Sequence, residues 1–463
     1  MKKTILLLFI IIFSTQAYAQ DFTKQIIDDT FGFTRGIEIA DLNNDGNIDV
    51  VGLKAFETFE VACWFGDGTG NFSDKVLIDN SLVGTLSTGS GMDIAVLDIN
   101  NDDYLDIIIS SEVPFEGHKI LAYLNNKDNT FSNYLIIDSG GFASRDIEIF
   151  DVDGNGFKDI VSAYENRIDL DDQSIYYFPN LGNGTFGQRQ TILKGNNKIW
   201  GLRSVFLNND LNKDLVYTKN SSLNVILNNG DGTFSDSNII DDEIISFYRV
   251  YTGKIDNDDF EDIIATGLGF EETLVWYAGD GLGSFSSRNI ISNMEYVLIS
   301  HSQVADIDND GNNDIVATAE TDLIWWKNDG NGNFGSPNII FSESDANNYD
   351  VKVVDMNKNN KLDIIMSNAE GIFWFQNDLT LSNENNQSNY QDLVIYPNPS
   401  SEKFNIETSQ IIDKIFVYNV LGNLISEIEM PQKEIDLTNK KSGIYILKVM
   451  SGKNASITKI IKE

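Results

Sequence analysis

Seven times along the 463-residue chain an acidic nine-residue loop runs straight into an unbroken aliphatic pair. The loops read DLNNDGNID (41–49), DINNDDYLD (98–106), DVDGNGFKD (151–159), FLNNDLNKD (206–214), KIDNDDFED (254–262), DIDNDGNND (306–314) and DMNKNNKLD (355–363). Their starts lie 57, 53, 55, 48, 52 and 49 residues apart. A recurrence of roughly 50 residues implies a propeller or solenoid, whose units bury their apolar faces only by stacking on neighbours.

The flanks of each loop choose between the two. Ahead of it stands a short alternating run, such as GIEIA (36–40) or RDIEIF (145–150), which reads as a half-buried strand. Behind it comes a continuous β-branched pair such as Val50-Val51 or Ile263-Ile264, the pattern of a strand covered on both faces. A third, aromatic run follows: CWF (63–65), YYF (176–178), VWY (275–277), IWW (324–326) and FWF (373–375). It leads into glycine- and asparagine-rich turns that close on Phe72, Phe131, Phe186, Phe234, Phe285 and Phe334, and then into a fourth run such as SDKVLID. Four strands per unit and seven units predict an all-β, seven-bladed β-propeller with four-stranded blades. The seventh unit stops after GIFWFQND (371–378), while DFTKQIIDD (21–29) matches the missing outer piece. Residues 22–27 are therefore expected to close the last blade, leaving no end blade open to pair with other chains.

The loops space oxygen donors as a hard cation requires, six to eight of them at about 2.3–2.6 Å. Positions 1, 3, 5 and 9 offer side chains and position 7 a backbone carbonyl. The first loop supplies Asp41, Asn43, Asp45 and Asp49, with the Asn47 carbonyl. The second supplies Asp98, Asn100, Asp102 and Asp106, with Tyr104, and the third Asp151, Asp153, Asn155 and Asp159, with Phe157. The sixth carries the most charge of the full sites: Asp306, Asp308, Asp310 and Asp314, with Asn312. The seventh keeps two carboxylates, Asp355 and Asp363, beside Asn357, Asn359 and the Lys361 carbonyl, and should bind most weakly. Phe206 removes the first ligand of the fourth loop. Lys254 takes that place in the fifth, and its ammonium is expected to stand in for the cation near Asp256, Asp258 and Asp262. Five calcium sites are thus expected. No other cofactor and no catalytic residue is assigned.

Charge and cysteine content narrow the function. Lys and Arg number 33 against 70 Asp and Glu, a net charge of −37 that excludes a nucleic-acid partner. Cys63 is the only cysteine and His118 and His301 the only histidines, which excludes an intramolecular disulfide and argues against zinc. The first 19 residues have a charged start (Lys2, Lys3), an apolar stretch and Ala17-Tyr18-Ala19, the pattern of a secretory signal peptide. No later stretch is long and apolar enough for a membrane helix, so the mature chain is expected to lack a transmembrane segment.

The acidic loop, aliphatic pair and G-x-G-x-F turn together resemble the FG-GAP/VCBS repeats of integrin-α-type propellers, over about residues 20–378. That resemblance implies calcium loops on one rim and ligands meeting the other. After a polar linker (379–391), residues 392–463 form a small β-sandwich. Its Pro397-Asn398-Pro399, Gly422-Asn423-Leu424-Ile425 and Ser442-Gly443-Ile444-Tyr445 are similar to the C-terminal sorting domain of Bacteroidetes type IX secretion cargo. This implies the type IX machinery as a partner and an extracellular or outer-membrane-surface location. The reading that follows is a calcium-binding propeller that binds or scaffolds extracellular protein or polysaccharide. The alternative is a polysaccharide lyase or hydrolase, for which Glu112, Glu116, Glu165, Glu271, Glu272, Glu320, His118 and His301 are the unassigned candidates. A structural surface-layer or adhesion component is a third reading.

Overall fold

Each of the first six repeats becomes one four-stranded antiparallel sheet in chain order, the seventh gains its fourth strand from the start of the chain, and the seven sheets form a β-propeller. The computed structural model describes residues 22–462 apart from 55–57, 82–92, 114–116, 140–142, 166–172, 196–198, 209, 220, 244–246, 257, 268–273, 293–297, 344–346, 380–393, 408–413, 420–423, 430–433 and 452–453. The signal-peptide reading, most of the linker, and Glu116, Glu271 and Glu272 lie outside the described residues. Blade 1 shows the plan: Thr34–Ala40, Asp49–Lys54, Glu60–Trp64 and Val76–Asp79 pair in sequence.

The first strands of blades 1 to 7 are Thr34–Ala40, Ile94–Leu97, Ala143–Phe150, Ile199–Val205, Phe247–Gly253, Ile299–Ala305 and Asp350–Val354. Each packs against the first strand of the next blade, and the seventh packs against the first, so these strands ring a central axis. Second strands such as Asp49–Lys54 and Asp262–Gly267 are buried almost throughout, which is why their apolar residues run without alternation. Phe22–Asp28 pairs antiparallel with Ile372–Asn377, from Phe22 opposite Asn377 to Asp28 opposite Ile372, and completes the seventh sheet.

The cores lie between blades. Val51, Leu53, Val61 and Cys63 of blade 1 pack with Ile107, Ile109, Leu121 and Tyr123 of blade 2. Trp374 and Ile365 of blade 7 pack with Ile37, Val50 and Trp64 of blade 1. Buried polar tips find partners across the same seams. Tyr123 Oη donates to Asp79 (2.8 Å), Tyr277 Oη to Asp241 (2.7 Å) and Trp64 Nε1 to Asp28 (3.2 Å), each carboxylate standing on or at the end of the previous blade's outer strand. Burial also pushes the Cys63 thiol up to about 12, so it behaves as a small apolar residue.

Residues 379–463 form a second unit. One sheet orders Val394–Tyr396, Lys403–Glu407 and Glu434–Asp436, and the other Leu424–Glu429, Lys414–Asn419, Gly443–Ser451 and Asn454–Lys462. Phe404, Ile406, Ile415, Val417, Leu447, Val449 and Ile460 fill the space between them. Among the described residues no helix is long and apolar enough to cross a membrane.

Candidate functional site

Every nine-residue loop joins the first strand of its blade to the second, so all seven stand on one rim. Their closing aspartates share one register: Ala40 pairs with Asp49, Leu97 with Asp106, Phe150 with Asp159, Val205 with Asp214, Gly253 with Asp262, Ala305 with Asp314 and Val354 with Asp363. All seven are fully buried. In each, one carboxylate oxygen accepts the N–H of loop position 2 and the other an N–H at the end of the third strand. For Asp49 these are Leu42 (2.8 Å) and Gly66 (2.9 Å). For Asp214, in the loop begun by Phe206, they are Leu207 (3.1 Å) and Asn228 (2.8 Å). The closing aspartate therefore staples three strands whether or not its loop is oxygen-complete. Burial pushes these carboxyls up, to about 6 at Asp49, Asp106, Asp159, Asp214, Asp262 and Asp363 and to about 7 at Asp314.

Position 1 separates the loops into two kinds. Where it is aspartate, its two oxygens accept backbone N–H groups deeper in the loop, as Asp41 does from Asp45 (3.0 Å) and Gly46 (2.8 Å) and Asp306 from Asp310 (3.0 Å) and Gly311 (2.9 Å). Asp98, Asp151 and Asp355 hold their loops in the same way. The wrap requires left-handed backbone at positions 4 and 6, which explains Asn44 and Gly46 in the first loop and Asn309 and Gly311 in the sixth. Among their described residues the fourth and fifth loops show short side-chain turns, such as Asp210 accepting from Asn212 (2.8 Å) and Asp258 from Phe260 (2.8 Å). Phe206 is half exposed, at 49%.

Among the described residues, three loops bring three carboxylate oxygens within 4.8 Å of one another: Asp151, Asp153 and Asp159; Asp256, Asp258 and Asp262; and Asp306, Asp308 and Asp314. A cation fits this chemistry for a second reason. Asn100 Oδ1 and Asp308 Oδ1, both at loop position 3, are buried oxygens with no hydrogen-bond partner. The lysines fall elsewhere than the sequence suggests. Lys254 is exposed, and its charge acts on Glu261. In the sixth loop Lys327, at the end of the third strand, places Nζ between Asp308 and Asp310, 2.9 Å from the latter. Lys127 lies 3.3 Å from Asp102 in the second. Both follow an aromatic or aliphatic third strand, Lys327 one residue and Lys127 four residues past its end, and nothing inside the nine-residue motif points to them.

The opposite end of the first strands carries a different set, readable by counting back from each loop. The third residue before the loop is Glu38, Ala95, Glu148, Arg203, Tyr251, Gln303 or Lys352; the fifth is Gly36, Asp93, Asp146, Gly201, Arg249, His301 or Asp350. Period-two spacing sends both layers toward the axis. Arg249 pairs with Asp146 (2.5 Å), Arg203 with Glu148 (3.4 Å) and Lys352 with Glu38 (3.0 Å). Three aspartates also reach the next blade's backbone: Asp350 accepts from Ile37 (3.0 Å), Asp93 from Ile147 (2.8 Å) and Asp146 from Leu202 (2.8 Å). Gly201 is required here, since a Cβ would stand 2.9 Å from the Val250 nitrogen. Burial pushes Asp93 up to about 7, with Asp146 adding to it. Asp146, equally buried, is held below the ordinary carboxylate range by Arg249 and Arg203. Burial pulls His301 down to about 4, so it is neutral at pH 7. Of the other unassigned candidates, Glu320 is an exposed turn residue, and Glu112, His118 and Glu165 lie in strands.

Residues 41–109 and 306–366 match the FG-GAP-like repeat family, and residues 394–463 match the secretion system C-terminal sorting domain. No curated protein matches the chain. Among solved structures, one describing recognition of non-reducing terminal N-acetylglucosamine by an Agrocybe aegerita lectin is similar over 73% of this chain and 87% of that one, at 19% identity and a TM-score of 0.52. BBS1N, solved in complex with ARL6DN, is similar over 78% of this chain and 98% of its own, at 11% identity and a TM-score of 0.51. At these identities the likeness concerns the fold.

Proposed function

The chain is a β-propeller with FG-GAP-like repeats and a sorting domain for type IX secretion to the cell surface or extracellular space, and we propose that it acts there as a calcium-stabilised binding module. Its partner in export is the type IX machinery, reached through residues 394–463. Its ligand is an extracellular protein or polysaccharide. The calcium part rests on the orphaned oxygens of Asn100 and Asp308, which a cation would satisfy within loops already curled around Asp98 and Asp306. Asp98, Asp102 and Asp106, or Asp306, Asp308 and Asp314, would supply charge, and the ion would join the first two strands of its own blade. Titration of chelated protein with Ca²⁺ should show saturable uptake at several sites; a flat titration would remove the metal from the reading.

Binding is preferred to catalysis because the axial carboxylates are already engaged. Asp93 accepts the N–H groups of Ile94 (2.9 Å) and Ile147 (2.8 Å), and Asp146 those of Leu202 and Arg249. One observation favours the alternative, a polysaccharide lyase or hydrolase: Asp93 and Asp146 are neighbours driven in opposite directions, the arrangement of an acid beside a base. Release of new chain ends from a polysaccharide panel, abolished in Asp93→Asn, would establish the enzyme. Saturable binding without product supports the module.

A further inference from the structure

The first strands do not simply run out at the rim away from the acidic loops. In five blades an extra residue bulges there, between Thr34 and Gly36, Ser144 and Ile147, Ile199 and Leu202, Phe247 and Arg249, and Ile299 and His301. A bulge re-aims the side chains beside it. Buried hydroxyls of the second strand cap the displaced amides: Gly201 N donates to Thr218 (2.8 Å) and Arg249 N to Thr266 (3.1 Å). The bulges place Trp200 and Tyr248 side by side on adjacent blades, half-buried, ring centres 5.6 Å apart and inclined at 49°. Tyr248 lies over the Arg249 guanidinium (5.3 Å), and Tyr349 over that of Arg35 (5.2 Å).

Resting on the binding reading above, we propose that this aromatic collar and the axial layer beneath it form a binding site for an uncharged saccharide. Aromatic faces at a mouth take the C–H face of a sugar ring. The layer behind them carries both hydrogen-bond acceptors, Asp93, Asp146 and Asp350, and the donors Arg249 and His301 on neighbouring blades. Two atoms of that layer, Arg249 Nε and His301 Nδ1, are buried without a partner. Hydroxyl groups both donate and accept, so one class of ligand satisfies both halves.

Charge decides against the neighbouring classes. Five carboxylates, Glu38, Asp93, Asp146, Glu148 and Asp350, with Asp93 partly protonated at pH 7, face the cations Arg203, Arg249 and Lys352 and, in the collar, Arg35, with His301 neutral. An anionic chain such as a uronate polymer finds no excess of cations in this layer and approaches a molecule of charge −37. A cationic ligand leaves the unpartnered guanidinium nitrogen without an acceptor. The site stands about 15 Å along the strands from the acidic loops, at roughly 3.3 Å per residue.

The test uses the full-length secreted chain in calcium, with cello-, xylo-, manno- and chito-oligosaccharides against alginate and polygalacturonate, read by calorimetry. At least one neutral oligosaccharide should bind saturably. Trp200→Ala and Tyr248→Ala should each weaken it at least tenfold, with Trp200→Phe restoring most of the loss. Ile239→Ser, on an outer strand, should leave it unchanged. Tyr349→Ala supplies a second reading should the Trp200 variant misfold. A blank neutral panel, binding confined to the acidic polymers, or affinity indifferent to all three aromatic variants would overturn the proposal. Saturable binding to a protein ligand, without any saccharide, would overturn it while leaving the general binding reading in place.

Discussion

The two ends of the seven first strands are built on opposite plans. At the loop end one nine-residue motif recurs, and its copies differ mainly at position 1. At the other end the residues five places before the loop are glycine, aspartate, arginine or histidine according to blade. The repeated end holds the ring together; the varied end is where a ring of near-identical blades becomes a particular surface. Within the loop end the same contrast recurs on a smaller scale, between five loops curled around an aspartate and two that are not.

The largest effect should come from removing metal. A site filled a hundredfold above its dissociation constant adds ~2.7 kcal/mol, and several together rival the ~5–15 kcal/mol of an ordinary domain. EDTA should therefore lower the melting temperature by ten degrees or more, restored by Ca²⁺. An unchanged melt would reduce the loops to solvated acidic turns and erase the difference between the two ends.

Next in size is the staple. Asp214→Ala, in the fourth loop, orphans the buried N–H groups of Leu207 and Asn228 and should cost about 2–4 kcal/mol, with or without EDTA. Asp41→Ala should matter much more in calcium than in its absence. Denaturant melts in both conditions separate the two roles. Equal calcium dependence for the two variants would mean that the closing aspartate acts only through a metal.

That separation marks the limit of what the sequence shows. Spacing reveals the repeat, its four strands and the residues able to donate oxygen, because these lie within one short motif. The second partner of each closing aspartate, such as Gly66 for Asp49 or Asn180 for Asp159, stands beyond the next strand and is found only once the hairpin folds. Lys327 is missed for the same reason. The Asp93, Asp146 and Asp350 layer was open to reading by offset from the loops, but a bulge is invisible in the pattern, so Trp200 and Tyr248 look like ordinary strand residues.

A smaller effect concerns pH. The closing carboxyls have folded pKa values of about 6, and about 7 at Asp314, above the ordinary 3.8. Protonation therefore favours the folded state: the stabilisation is full below about 4 and is lost as pH rises through 6 to 7. In EDTA the melting temperature should rise by a few degrees as pH falls from 7.5 to 5. Saturating Ca²⁺ should flatten or reverse the trend, because bound cations favour the ionised carboxylates. A fall in both conditions would show that the loops' other carboxylates, or the axial ion pairs, dominate.

The smallest effect sharpens the comparison between loops. Lys327 Nζ sits between Asp308 and Asp310, so a cation entering the sixth loop must displace an ammonium that the third loop's Asp151, Asp153 and Asp159 cluster does not meet from this lysine. An exposed or half-exposed ion pair is worth about 0–1 kcal/mol, so Lys327→Met should tighten calcium binding at the sixth loop by only a few-fold. Calorimetric titration of this variant in an Asp151→Asn background, with one competing site weakened, should resolve the change. Affinity that falls instead would mean that the lysine orients Asp308 and Asp310 for the metal, so that the sixth loop binds with the help of its ammonium.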